Sequence, residues 1–231
     1  MIIVGLTGSI GMGKSTASNF FRLLGVPIHD ADGAVHRLMA RSGAAVATVE
    51  AAFPGVVIDG AVDRKALGAR VFGDDDKLRR LEGILHPMVE RERDRMLRLA
   101  ARRGCPIVVL DVPLLYETDG ERNCDVVVVV SAPAPVQAQR VLRRPGATRE
   151  RLDEILKLQV PDAEKRRRAD FVVHSGLGKG YSLRTVRRIL EALESRDGRH
   201  WPPPGRWPKY GRRAWFERPG PHGRKRVNGN A

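Results

Sequence analysis

The chain has 231 residues, of which 42% are hydrophobic and 29% charged; that is enough to bury a full core, and the usual expectation is one soluble domain with insertions. No stretch of apolar residues is long enough to cross a bilayer as a helix, which excludes a membrane-spanning segment of that kind. The net charge of +14 invites nucleic acid as a partner, but residues 196–231 carry ten Lys/Arg against only Asp197 and Glu217. The remaining excess suits an enzyme of polyanionic substrates.

The first segment, MIIVGLTGSIG, has no basic stretch before its apolar run and no small-residue cleavage site after it. It reads as a buried first strand over residues 2–7 and not as a signal peptide. Directly after it, Gly8-Ser9-Ile10-Gly11-Met12-Gly13-Lys14-Ser15 matches G-x-x-x-x-G-K-[ST]. An amphipathic helix bearing Phe20, Phe21 and Leu24 follows. Strand, glycine-rich loop and helix in that order predict a phosphate-binding loop. The glycines let main-chain N–H groups turn inward as an anion nest, and the helix start adds free donors and its dipole. Gly8, Gly11, Met12, Gly13, Lys14, Ser15 and Thr16 are therefore the expected ATP-binding residues. Lys14 reaches the β- and γ-phosphates, and the Ser15 hydroxyl is placed to ligate Mg²⁺.

A second strand, residues 26–30, ends in Asp30-Ala31-Asp32. Acids at the carboxyl edge of an open α/β sheet are where an acceptor binds, and phosphoryl transfer needs a carboxylate to orient the acceptor hydroxyl and take its proton. Asp30 and Asp32 are read that way, with the alternative that Asp32 only caps the helix starting near Gly33. The D-x-x-G formed by Asp30 to Gly33 does not make a GTPase, because no N-K-x-D occurs anywhere in the chain.

Residues 33–105 show several helical patterns, turn signals at Pro54-Gly55 and Asp59-Gly60, and Leu78, Leu81, Leu85 and Val89 at helical spacing. No buried strand is expected there, and the region has the size of an acceptor-binding insertion. The run 106–112 is a third buried strand, and Asp111 at its end occupies the place of a Walker-B-type acid for Mg²⁺ or its water shell; a solvated strand-end aspartate is the alternative. Strands at 126–131 and 171–174 enclose a helical stretch rich in arginine, including Arg140, Arg143, Arg144 and Arg166 to Arg168. Its stretch 141–168 is expected to act as a lid, with many of those arginines merely solvated. The core is then 1–32, 106–140 and 169–195. The fold expected is α/β: a doubly wound five-stranded parallel sheet of the P-loop NTPase type with a helical insertion and a helical lid. Residues 196–231, rich in Pro, Gly, Arg and Trp, lack periodicity and are expected to be disordered. They are the one part suited to nucleic acid. The two isolated cysteines, Cys105 and Cys124, fit a reducing cytoplasm.

Taken in order, GLTGSIGMGKST (5–16), IHDAD (28–32), LHPMV (85–89), DVPLLYE (111–117), Arg140 and its helix, and ILKLQ with RRRADFVVHSG (155–176) resemble the dephospho-coenzyme A kinase family over residues 1–178. The resemblance implies transfer of the ATP γ-phosphoryl group to the ribose 3′-hydroxyl of dephospho-coenzyme A, the last step of coenzyme A biosynthesis. It implies Asp32 as catalytic base, Thr7 and Arg140 in the active site with Arg140 stabilising the transferring group, and His86 lining the acceptor region. Helix-end packing is the other reading of His86, which precedes a proline expected to interrupt its helix. Met12 stands where the family usually has a small residue, and His174 replaces an asparagine. Another small-molecule P-loop kinase and a nucleic-acid-binding ATPase are the competing functions; acids after the second strand favour a hydroxyl acceptor over a phosphate-bearing one.

Overall fold

The Val, Ile and Leu runs form one parallel sheet in the computed structural model, which describes residues 1–201. Its strands are β1 (Ile2–Thr7), β2 (Ile28–Asp30), β5 (Ile107–Asp111), β6 (Val126–Ser131) and β7 (Phe171–His174); a separate hairpin pairs β3 (Val57–Ile58) with β4 (Ala61–Val62). The order across the sheet is β2-β5-β1-β6-β7, with every pair parallel. All residues of β1, β5 and β6 are buried, as strands covered on both faces must be. Side chains alternate between the faces: Ile2, Val4 and Leu6 meet α1 (Lys14–Leu23) and α9 (Lys179–Leu193) through Phe21, Val186 and Ile189. Ile3, Val108 and Val127 face the opposite way, toward Leu97 and Ala100 of the long helix α5 (Asp75–Arg102). The five-stranded, doubly wound α/β architecture is the one expected.

The insertion holds α2 (Ala31–Met39), α3 (Val46–Ala52), the hairpin, α4 (Arg64–Val71) and the first half of α5, around a core of its own that includes Leu38, Val49, Phe53, Leu67, Leu81 and Leu85. Leu78 departs from its expected place on that apolar face and is 42% exposed. The hairpin turns at Asp59 and Gly60, whose φ angles of 51° and 77° are the left-handed pair that a tight two-residue turn demands. Pro87 does not interrupt its helix. It lies inside α5, which continues because its two halves are gripped by two different cores; the hydrogen bond and ring clash that proline costs a helix are outweighed by that burial.

Between β6 and β7 the chain forms α6 (Ala134–Leu142), α7 (Arg149–Lys157) and α8 (Asp162–Arg168). Within the stretch 141–168 expected to act as a lid, α8 packs on β6 and Lys165 is fully buried. Lys165 Nζ lies 2.7 Å from Glu117 Oε1, at an angle that makes no hydrogen bond, so the pair is held by charge. Arg168 sits over the Tyr116 ring at 4.2 Å and pairs with Glu121. Arg166, Arg167 and Arg168 stay exposed, in line with the expectation that many of these arginines are solvated, and only Lys165 of the helix is buried.

Disorder was expected from residue 196, yet residues 196–201 are placed. The main-chain N–H groups of Arg199 and His200 donate to Asp125 Oδ1, while Ile3 N donates to Asp125 Oδ2 at 2.7 Å. Trp201 is buried against the second face of the sheet. One carboxylate thereby ties this short segment to the edge of the sheet remote from the strand tips. The rest of the expected tail, residues 202–231, lies outside the described residues.

Candidate active site

Thr7 ends β1 and Lys14 opens α1, so the glycine-rich loop bridges the tip of the central strand and a helix N-terminus. Gly11 and Gly13 have φ of 76° and 89°, a region that side chains strongly disfavour. A Cβ on Gly8 would lie 2.6 Å from the Val130 carbonyl oxygen, so the loop also needs glycine there for its close approach to β6. Three successive carbonyls at the crown are each taken by a side chain from outside. Ile10 O accepts from Gln137 Nε2 at 2.8 Å, Gly11 O from Arg140 Nη1 at 3.4 Å, and Met12 O from the Ser175 hydroxyl at 2.6 Å. A peptide plane points its N–H opposite to its C=O, so carbonyls drawn outward aim amides inward. Met12 N is spent on Ser9 O and Thr16 N on Gly13 O. Among the described residues the amides of Gly11, Gly13, Lys14 and Ser15 keep no partner, and these form the nest. The Met12 side chain is a buried plug whose sulfur accepts from Ala132 N at 3.1 Å.

The neighbouring strand tips complete the site. In register, Leu6 of β1 pairs with Asp111 of β5, and Asp111 pairs with Asp30 of β2. Asp111 is 4% exposed and forms an ion pair with Lys14, so the Walker-B-type position is in contact with the phosphate-loop lysine and is not a solvated strand end. The Asp30 carboxylate accepts from Gly33 N at 3.0 Å. Asp30 therefore caps α2, which starts at Ala31, and the capping role weighed for Asp32 falls to its neighbour. Asp32 lies in the first turn of α2 and is exposed. Adjacent strands are spaced at about 4.8 Å, so the β2 tip stands roughly 10 Å from the β1 tip. Beneath it, His29 is buried, and its pKa is lowered, chiefly by desolvation and then by Arg93 and Arg37 against the opposing pull of Glu92 and Asp30. Burial likewise pushes the Tyr116 hydroxyl up to about 12.

Two further expected site residues hold the strand tip and the loop in place. Thr7 is wholly buried and its hydroxyl donates to the Pro113 carbonyl at 2.9 Å, so it ties the β1 tip to the segment leaving β5. Arg140 also donates to Ser175, at 2.8 Å to its hydroxyl and 3.0 Å to its carbonyl. Its guanidinium thus bridges α6, the loop and the turn after β7. His86 is exposed on α5 within the insertion. Three residues escaped sequence reasoning: Gln137, Ser175 and Gln159, the last accepting from Ile10 N at 3.2 Å. Gln159 and Ser175 lie in the ILKLQ and RRRADFVVHSG segments that carry the family resemblance, and the i, i+3 spacing of Gln137 and Arg140 hints at a shared face.

A phosphate nest with its lysine, a carboxylate one strand away and acids a further strand along define a P-loop kinase. The sequence model of the dephospho-CoA kinase family matches residues 2–178. A dephospho-CoA kinase of Mesorhizobium japonicum is 54% identical over 198 residues, covering 86% of this chain and all of that one. Another, from Paramagnetospirillum magneticum, is 63% identical over 166 residues, covering 72% of this chain and 78% of that one. Among solved structures, TT1252 from Thermus thermophilus aligns with a TM-score of 0.71 at 34% identity, covering 83% of this chain and 96% of that one. The dephospho-CoA kinase of Campylobacter jejuni shares the fold, with a TM-score of 0.62 at 21% identity over 83% of this chain and 96% of that one. The chain belongs to the dephospho-CoA kinase family.

Proposed function

We propose that this kinase moves the γ-phosphoryl group of ATP to the ribose 3′-hydroxyl of dephospho-coenzyme A, with Asp32 as the base. The supporting observation is the register that sets Asp30 beside Asp111 and Asp111 against Lys14. That arrangement leaves about two strand spacings between the nest and the acid, a gap that a γ-phosphate and an incoming hydroxyl together can fill. The acceptor oxygen attacks the γ-phosphorus, its proton passes to the Asp32 carboxylate, and the bond to the β,γ-bridging oxygen breaks to release ADP. Lys14 and the loop amides stabilise the charge on the β- and γ-oxygens. The insertion supplies the acceptor side, with His86 on its surface. Arg140 steadies the loop from α6 and takes the role of stabilising charge on the transferring group.

Mg²⁺ fits the residues present. The described residues hold no cluster of three His, Cys, Asp or Glu that could cage a metal. A magnesium ion needs none, since it keeps water and phosphate oxygens and takes only one or two protein ligands. The exposed Ser15 hydroxyl and the Asp111 carboxylate are the ligands proposed, the latter directly or through water. When bound, the ion neutralises charge shared by the β- and γ-phosphates. No described helix is long and apolar enough to cross a membrane; a cytoplasmic setting rests on the two unpaired, buried cysteines.

The test is ADP release from purified protein over a panel of acceptors. Turnover is expected with dephospho-coenzyme A and Mg²⁺, and not with nucleosides, nucleoside monophosphates or shikimate. Asp32→Asn should cut turnover by roughly 10²- to 10⁴-fold while ATP binding persists. Equal turnover of a nucleoside monophosphate, with dephospho-coenzyme A ignored, would overturn the proposal.

A further inference from the structure

Both roots of the lid grip one peptide unit on either side of Ile10, at the crown of the phosphate loop. From α6, Gln137 donates to the Ile10 carbonyl at 2.8 Å. From the connection between α7 and α8, Gln159 accepts the Ile10 N–H at 3.2 Å. The second grip has a firm foundation. The next residue, Val160, donates its N–H to Glu117 Oε1 at 2.9 Å, and the same oxygen lies 2.7 Å from the buried Lys165 Nζ. Glu117 in turn belongs to the segment that leaves β5 after Asp111. Gln159 is thus anchored to the sheet on one side and to the loop on the other.

We infer that Gln159 is a positioning residue for the triphosphate: by holding Ile10 N–H from the lid root, it pre-orders the glycine-flanked crown. The physical reason is entropic. A loop with glycines at 8, 11 and 13 loses much conformational freedom when it closes on phosphates, and ordering it beforehand removes that loss from binding. The same contact makes the loop sense the lid, because the α7–α8 connection cannot swing away without releasing Ile10. This inference rests on reading the loop as the triphosphate seat.

The experiment compares wild type with Gln159→Leu, Gln137→Leu and the double variant, measuring steady-state kinetics in both substrates, thermal melting and binding of ADP and AMP. Leucine matches glutamine in bulk and cannot accept the N–H. One neutral hydrogen bond sets the scale, so Gln159→Leu should raise KM for ATP and weaken ADP roughly 3- to 10-fold. KM for dephospho-coenzyme A should stay within about twofold and melting within about 2 °C, with AMP unaffected. The double variant should lose less than the product of the single losses, because both side chains restrain the same residue. An unchanged KM for ATP, a parallel rise in both KM values with a lowered melting point, or fully multiplicative losses would overturn the role of Gln159. Wild type that binds AMP as tightly as ADP would show that the loop is not the seat, and the inference would fall with it.

Discussion

Replacing Lys165 by methionine removes a cation that is completely buried and leaves its partner behind. Glu117 is 12% exposed, so its carboxylate cannot recover much hydration. Its Oε2 has no hydrogen-bond partner, and Oε1 would keep only the Val160 N–H. Breaking a buried ion pair by deleting one member costs about 3–5 kcal/mol, whereas neutralising both members together is often nearly harmless. For a chain of this size each kcal/mol moves the melting temperature by roughly 2–4 °C. Lys165→Met is therefore expected to melt about 6–20 °C below wild type. The double variant Lys165→Met/Glu117→Gln should recover most of that loss, since the amide oxygen still accepts from Val160.

Differential scanning calorimetry on wild type, both single variants and the double variant measures this directly, and urea unfolding supplies the free energies. The reasoning fails if Lys165→Met melts within 2–3 °C of wild type, or if the double variant is no more stable than Lys165→Met. Either result would mean that α8 is not bound to the sheet by this pair and belongs to a mobile lid, as its arginine-rich sequence suggested.

Trp201→Ala should cost about 3 kcal/mol or more, in line with other large aromatic-to-alanine changes in cores, and a melting temperature within about 2–3 °C of wild type would refute its burial against the sheet. His29 is buried with a lowered pKa, so the unfolded chain binds more protons than the folded one just below the ordinary histidine value. Stability is then complete above roughly pH 6.5 and falls as the pH drops below it; His29→Leu should flatten that decline between about pH 6.5 and 5 in a melting-temperature profile, and an identical slope in both proteins would refute the assignment.

The sheet was legible because its strands are buried on both faces, which leaves an unbroken Val, Ile and Leu signature in β1, β5 and β6. The phosphate loop was legible because its chemistry is local: glycines, a lysine and a serine at fixed spacing between a strand and a helix. What holds that loop was not. Gln137, Gln159 and Ser175 reach it across 127, 149 and 163 residues of chain, and a polar side chain satisfying a distant carbonyl leaves no periodic trace. The same limit applies to the acids at the β2 tip, where sequence offered Asp32 as a cap and the capping carboxylate is that of Asp30. Lys165 and Trp201 misled in the same direction, each lying in a segment whose average composition reads as solvated while the particular side chain is buried.

The segment from Asp111 to Glu117 explains why these separate contacts form one device. Asp111 holds Lys14, the Pro113 carbonyl takes the Thr7 hydroxyl, and Glu117 fixes Val160 and Lys165 at the root of the lid. Because β5 lies between β1 and β2, this short stretch emerges between the nest and the acid. A shift there would move the phosphate-loop lysine, the end of β1 and the platform of Gln159 together. Positional demands of this kind are strict in phosphoryl transfer, where most of the acceleration comes from orientation and fixed charge. Side chains in this stretch that touch neither substrate, such as Glu117, can therefore influence catalysis through the groups they hold.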